Sequence, residues 1–134
     1  MSLRFALTAG EPAGIGPDLC LMLAHEMQPY PVIVISNRQL LSERAAQLGL
    51  KVELLDVQPD AWPNKPAPAD SMYVWDTPLY EPVVTGQLNQ ANAQHVLETL
   101  TRAGQGCLDG VFSAMITKKM NKSLINDAGG PSSG

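Results

Sequence analysis

Apolar residues in this chain gather into short continuous runs, separated by stretches where they recur every three or four positions. That alternation is expected of strands buried on both faces and of the helices that cover them. Leu3 to Leu7 opens the chain as a strand, and Asp18 to Met27 follows as a helix with Leu19, Met22, Leu23 and Met27 at helical spacing. Val32-Ile33-Val34-Ile35 is a β-branched run suited to a central strand. The stripe Leu40, Leu41, Ala45 and Leu48 then predicts a second helix, ended by Gly49. Val52 to Val57 reads as a third strand and Met72 to Trp75 as a fourth, with Tyr73 and Trp75 on one face. A long helix from Leu88 is expected to turn Ala91, Val96, Leu100 and Ala103 inward, to keep Asn89, Asn92 and His95 nearer its polar side, and to end at Gly104. Gly110 to Ile116 gives the last strand, after which Thr117 is placed to cap a short helix running to Asp127. Prolines 59, 63, 66 and 68 make Gln58 to Asp70 a surface excursion, and Thr77 to Gly86 is a second irregular connection. The order predicts an α/β fold: a mainly parallel sheet between helical layers.

The first strand-to-helix junction carries the clearest chemical signal. Gly10-Glu11-Pro12-Ala13-Gly14-Ile15-Gly16-Pro17 follows Phe5-Ala6-Leu7 directly. Glycines there permit φ > 0 and close backbone approach, while Pro17 suits a first helical turn that has no use for its N–H. The free N–H groups of the helix point back into the loop and favour a phosphate or carboxylate; a tight connection whose glycines only satisfy geometry is the alternative. The spacing fits neither a Rossmann GxGxxG nor a P-loop.

In a parallel sheet the loops after Leu7 and after Ile116 reach the same edge, where open α/β folds bind ligands. Gly10, Glu11, Gly14 and Gly16 from the first, and Asn121 and Lys122 from the second, are therefore the candidate ligand-binding residues. Glu11 suits the orientation of a ligand hydroxyl or of a cation, or simply stabilises a helix N-terminus. Lys118, Lys119 and Lys122 suit a phosphate or form a solvated helix face, and Asp18 favours the dipole of its own helix. If Gly14 is held at φ > 0, a side chain there is costly.

Composition narrows the partners. The net charge is −4, with 45% hydrophobic and 16% charged residues, and no basic patch invites nucleic acid or an acidic membrane. No apolar run approaches the ~20 residues a spanning helix needs, and no basic stretch precedes an apolar leader, so a cytoplasmic location is expected. Cys20 and Cys107, far apart in sequence, read as small hydrophobes without a disulfide, and Cys20, His25, His95 and Cys107 do not form a spaced ligand set. Trp62 and Trp75 read as packing anchors rather than as a cofactor-stacking pair.

The opening Thr-Ala-Gly-Glu-Pro-Ala-Gly-Ile-Gly-Pro-Asp resembles that of the 4-hydroxythreonine-4-phosphate dehydrogenases of vitamin B6 biosynthesis. Similar stretches continue in the family's order: Arg44 to Leu50, Thr85 to Leu88, Val96 to Leu100, Gly106 to Gly110 and Asn121 to Gly129. Thr117-Lys118-Lys119-Met120 departs from the family pattern, which has a small residue and a proline after the threonine; Asn121-Lys122 matches it. After Ala128-Gly129 the family continues into Ile-Pro-Phe-Ser/Thr-Gly-His-Thr-Glu, whereas here Gly130-Pro131-Ser132-Ser133-Gly134 follows.

The resemblance implies an N-terminal α/β domain portion over residues 1–129, with a Gly/Ser-rich tail at 130–134 that is a diverged sequence, a linker or a cloning remnant. It implies an isocitrate/isopropylmalate dehydrogenase-like fold, in which two α/β domains flank a cleft and a homodimer completes each site. The implied chemistry is oxidation of 4-phosphooxy-L-threonine by NAD or NADP with loss of carbon dioxide, assisted by a divalent metal (Zn, Mg or Co). The family's metal-binding histidines and its substrate-binding lysine, asparagine and arginine fall beyond Gly134. This chain alone is therefore expected to be inactive, to bind no metal tightly, and to show an incomplete sheet with apolar surface. The alternative from another class is a non-catalytic or engineered α/β binding module that keeps the anion-binding glycine loop.

Overall fold

The computed structural model describes residues 3–26, 28–80, 82–84, 86–87 and 90–117. In chain order the elements are β1 (Phe5–Thr8), α1 (Gly16–Leu23), β2 (Val32–Ser36), α2 (Arg38–Leu48), β3 (Glu53–Asp56), β4 (Ser71–Asp76), a 3-10 turn at Gln90–Asn92, α3 (Ala93–Leu108) and β5 (Ala114–Thr117). The strands lie in the order β3-β4-β2-β1-β5, and every pairing is parallel.

Because side chains alternate across a strand, the central strands feed two cores. Leu7, Val34, Met72 and Val74 pack on one face against Cys20 and Leu21 of α1 and Leu41 and Ala45 of α2. Ala6, Ile33 and Ile35 line the other face with Ala103 of α3 and Phe112, and Tyr73, Trp75 and Trp62 pack against them. Continuous apolar runs in β1, β2 and β4 are what burial on both faces requires. The sheet thus lies between α1 and α2 on one side and α3 on the other.

Local chemistry fixes the ends of α2. The Asn37 side chain accepts from the Leu40 amide at 2.9 Å, and Gly49 closes the helix at φ 70° while the Leu50 amide bonds the Ala45 carbonyl. The proline-rich excursion is anchored by Trp62, whose ring meets Trp75 edge-on at 5.1 Å and Phe112 at 5.4 Å. Packing is what these tryptophans do.

Several expectations need correction. Helix α1 starts at Gly16 rather than Asp18 and stops at Leu23. Its buried side is Cys20 and Leu21, whereas Met22 is exposed, because the helix is set by how the loop enters it. Met27 lies outside the described residues. The third strand is shorter than read, Glu53 to Asp56, since it pairs only with β4 at the sheet edge. Helix α3 runs past Gly104 to Leu108, and Gly110, at φ 79°, makes the turn into β5. Its buried face is His95, Thr99, Ala103 and Gly106, with Leu97 and Leu100 outside. The anticipated helix after Thr117, and Leu88, lie outside the described residues, as does the side chain of Ala91.

Candidate functional site

Strands β1 and β5 are sheet neighbours with Thr8 in register with Thr117, so both strands end at one carboxyl edge. From β1 the chain returns through α1 to β2 on one side, while β5 lies on the other. The crevice outside β1 and β5 is therefore the point where strand order reverses, which is where open parallel sheets take ligands.

Leaving β1, Gly10 adopts φ 73°, the left-handed conformation that favours glycine. Gly14 does not share it: its amide closes a turn on the Glu11 carbonyl at 3.0 Å, so the expectation of positive φ moves from Gly14 to Gly10. Gly16 is glycine for a different reason. A Cβ there would stand 1.6 Å from the Ala9 carbonyl oxygen, so the first residue of α1 lies directly against the end of the strand segment. Ile15 precedes α1 without a side-chain cap, and Pro17 leaves one position of the first turn without an N–H. The Glu11 carboxylate folds back toward the Ala13 amide at the long distance of 3.4 Å. Asn121 and Lys122 lie outside the described residues.

A residue that sequence reading left unassigned holds this loop. Arg44 of α2, 3% exposed, donates through Nη2 to the Pro12 carbonyl at 2.7 Å and through Nη1 to the Gly14 carbonyl at 3.0 Å and Asp18 Oδ1 at 2.7 Å. The intervening Ala13 carbonyl accepts from the Gly86 amide at 2.9 Å. Its signal in the sequence is an arginine on the stripe Leu40, Leu41, Ala45, Leu48, a position where a guanidinium must find acceptors.

Beside the loop, α3 presents a buried polar face. Asn92 Oδ1 accepts from the Tyr80 amide at 3.1 Å, and His95 Nδ1 meets the Pro78 carbonyl. Burial lowers the His95 pKa most, while the Pro78 bond and the charges of Glu98 and Glu11 oppose that shift, which places the loop within electrostatic reach of this face. An apolar groove of about 250 Å³ opens between α1 and the sheet, lined by Leu7, Leu23, Val32 and Ile116 among others and by no residue of the glycine loop. Among the described residues no group of three His, Cys, Asp or Glu could hold a metal ion, and no helix is long and apolar enough to cross a membrane.

A parallel α/β sheet with a glycine-rich strand-to-helix loop at its carboxyl edge is an architecture on which many enzymes are built. More particularly, the chain belongs to the family of the pyridoxal phosphate biosynthetic protein PdxA, whose model matches residues 28–134. It is 66% identical over 134 residues to the 4-hydroxythreonine-4-phosphate dehydrogenase of Pseudomonas aeruginosa, covering 100% of this chain and 41% of that protein. With the Vibrio cholerae protein of the same name it shares 49% over 128 residues, covering 96% of this chain and 38% of the relative. The crystal structure of 4-hydroxythreonine-4-phosphate dehydrogenase from Klebsiella pneumoniae matches with a TM-score of 0.76 at 29% identity, over 96% of this chain and 40% of that one. The family resemblance drawn from the motifs is borne out, and the chain spans about two fifths of its relatives' length.

Proposed function

We propose that this chain forms the N-terminal part of an NAD- or NADP-dependent oxidative decarboxylase of 4-phosphooxy-L-threonine that serves pyridoxal phosphate biosynthesis in the cytoplasm. The observation that carries this reading is 66% identity along the whole chain to the 4-hydroxythreonine-4-phosphate dehydrogenase of Pseudomonas aeruginosa. The complete enzyme is a homodimer of isocitrate/isopropylmalate dehydrogenase-like subunits, with residues 1–129 contributing to the first α/β domain and 130–134 a tail outside it.

The nicotinamide cofactor, when bound, supplies the hydride acceptor. This chain's share is binding and orientation. Gly10, Gly14 and Gly16 let the backbone at the start of α1 come close to a phosphate-bearing ligand, Glu11 orients a ligand hydroxyl or a cation, and Asn121 and Lys122 complete the proposed set of ligand contacts. The divalent metal (Zn, Mg or Co) does not fit the described residues, which offer no ligand cluster for it, so no step here runs through the metal.

The test replaces the matching N-terminal segment of the Pseudomonas aeruginosa enzyme with residues 1–117 of this chain and follows cofactor reduction. Reduction that depends on 4-phosphooxy-L-threonine in the hybrid, and its absence in the 134-residue chain alone, are the expected results. A folded hybrid that turns over nothing overturns the reading.

A further inference from the structure

Helix α3 turns its polar members inward and its leucines outward. At about 100° per residue, His95, Thr99, Ala103 and Gly106 share one side of the helix, and that side is buried. Leu97, Leu100, Gly104 and Leu108 share the opposite side, where the three leucines are exposed and a Cβ built on Gly104 meets nothing within 4 Å. The two charged residues of α3 are tied to β4 and the segment after it. The Glu98 carboxylate accepts from the Tyr80 hydroxyl. Arg102 lies over the Trp75 ring while its Nη1 donates to the Asp76 carbonyl and to Thr77 Oγ1, each at 2.9 Å. A helix with apolar residues on two opposite sides is suited to being covered on both.

The pattern of the outer stripe fits a second copy of itself. When two α3 helices are laid antiparallel about a twofold axis near their middle, Leu97 of one copy meets Leu108 of the other. Leu100 then meets Gly104, whose missing side chain leaves room for it. Each contact occurs twice, as an isologous interface requires. Charge favours the same occupant: two copies of a chain with net charge −4 repel one another, yet the stripe itself carries no charged residue to set against its own copy.

We propose that the outer stripe of α3 is a self-association surface on which a second copy of this chain seats its own α3, antiparallel. A helix of 16 residues is about 24 Å long and about 10 Å wide, so the pair buries about 500 Å², below the ~1,200 Å² of stable complexes. The dimer is therefore weak, with a Kd on the order of 0.1 mM. It dissociates at the low concentrations used for denaturation. The surface needs neither substrate nor cofactor and goes beyond the catalytic reading.

Sedimentation equilibrium of the 134-residue chain between about 10 μM and about 1 mM tests it. The average mass is expected to rise from that of one copy toward that of two. Leu97→Glu and Leu108→Lys, both at exposed positions, should each raise Kd about tenfold. An equimolar mixture of these two variants should recover association, because the new charges face each other across the antiparallel seam. Leu97→Glu mixed with Leu97→Lys should not, since those positions lie about 16 Å apart along it. Met22→Glu, at an exposed position on α1, should leave Kd unchanged. Should Leu97→Glu fail to fold, Leu108→Glu mixed with Leu97→Lys carries the same comparison. A chain that stays monomeric to about 1 mM overturns the proposal and assigns the stripe to a different protein or to another segment of a longer polypeptide. Association that Leu97→Glu and Leu108→Lys leave unchanged, or a mixture of the two no tighter than either alone, overturns it as well. A hybrid enzyme without turnover counts against the dehydrogenase reading alone, and a monomeric chain against the seam alone.

Discussion

His95 Nδ1 lies 2.8 Å from the carbonyl oxygen of Pro78, and the ring is 1% exposed. The carbonyl only accepts, so Nδ1 carries a proton, and burial disfavours a second one on Nε2. Burial is the largest influence on its pKa and lowers it; Arg102 acts in the same sense, and the Pro78 bond, Glu98 and Glu11 act against it. An unfolded histidine titrates near 6.5, so below about that pH the unfolded chain takes up a proton that the folded one refuses. Stability from this group is full above the unfolded pKa and falls as pH drops through it, by at most about 1.4 kcal/mol per pH unit. Urea melts at a series of pH values, repeated on His95→Gln, check this: the parent should lose stability more steeply between about pH 7 and 5.5. Because His25 is common to both proteins, equal slopes would exclude His95 as the source.

That buried histidine also marks where the sequence misled. In α3 periodicity turns the stripe Ala91, Val96, Leu100 and Ala103 inward; Ala103 is buried as expected, whereas Leu100 is exposed. The side that packs is Asn92, His95, Thr99, Ala103 and Gly106, because the irregular segment after β4 offers Pro78 and Tyr80 backbone groups as partners for its polar members. No period in α3 reports what a distant loop will supply. Strands β1, β2 and β4 were legible because burial on both faces leaves uninterrupted apolar runs, and α2 because Asn37 and Gly49 mark its ends. Within the loop, the sequence locates the glycines but not their separate duties, and nothing in the stretch Arg44 to Leu50 tells what Arg44 holds. The approach of Gly16 to Ala9 depends on three-dimensional contact that no spacing encodes.

The glycines of the loop should rank by cause. Gly16→Ala drives a methyl group to 1.6 Å from a backbone oxygen and 2.7 Å from the Ala9 carbonyl carbon, and neither can swing aside as a side chain would. A loss of about 3 kcal/mol or more is expected. Gly10→Ala carries the left-handed penalty of about 1 kcal/mol, and Gly14→Ala, with its nearest neighbour at 3.3 Å, about 1 kcal/mol or less. Chemical denaturation of the three variants checks the order, and a tolerated Gly16→Ala would contradict the described contact.

Trp62 is expected to anchor the proline-rich excursion to the sheet. Its ring contacts both Trp75 and Phe112, and Arg102 lies 4.7 Å over Trp75 on the same cluster. Trp62→Ala should cost about 2–3 kcal/mol, less than a fully buried tryptophan because the ring is half-exposed, and should shift the emission of the remaining Trp75 to the red. A change within about 0.5 kcal/mol with unshifted emission would show that the excursion is held elsewhere.

The two sides of α3 give opposite expectations for substitution. Leu97 is 57% exposed and Leu108 83%, so Leu97→Gln and Leu108→Gln remove little packing and should each move stability by no more than about 0.5 kcal/mol. Ala103, 0% exposed, lies in the core with Ile33 and Ile35, and Ala103→Leu adds volume where none is free, at about 1–3 kcal/mol. Gly106 behaves likewise: a Cβ there meets the Phe112 ring at 2.3 Å, although that ring can shift in part. Denaturation of the 134-residue chain decides between the two faces. If Leu97→Gln costs as much as a core truncation while Ala103→Leu is tolerated, α3 is rotated about its axis and the His95–Pro78 contact falls with it.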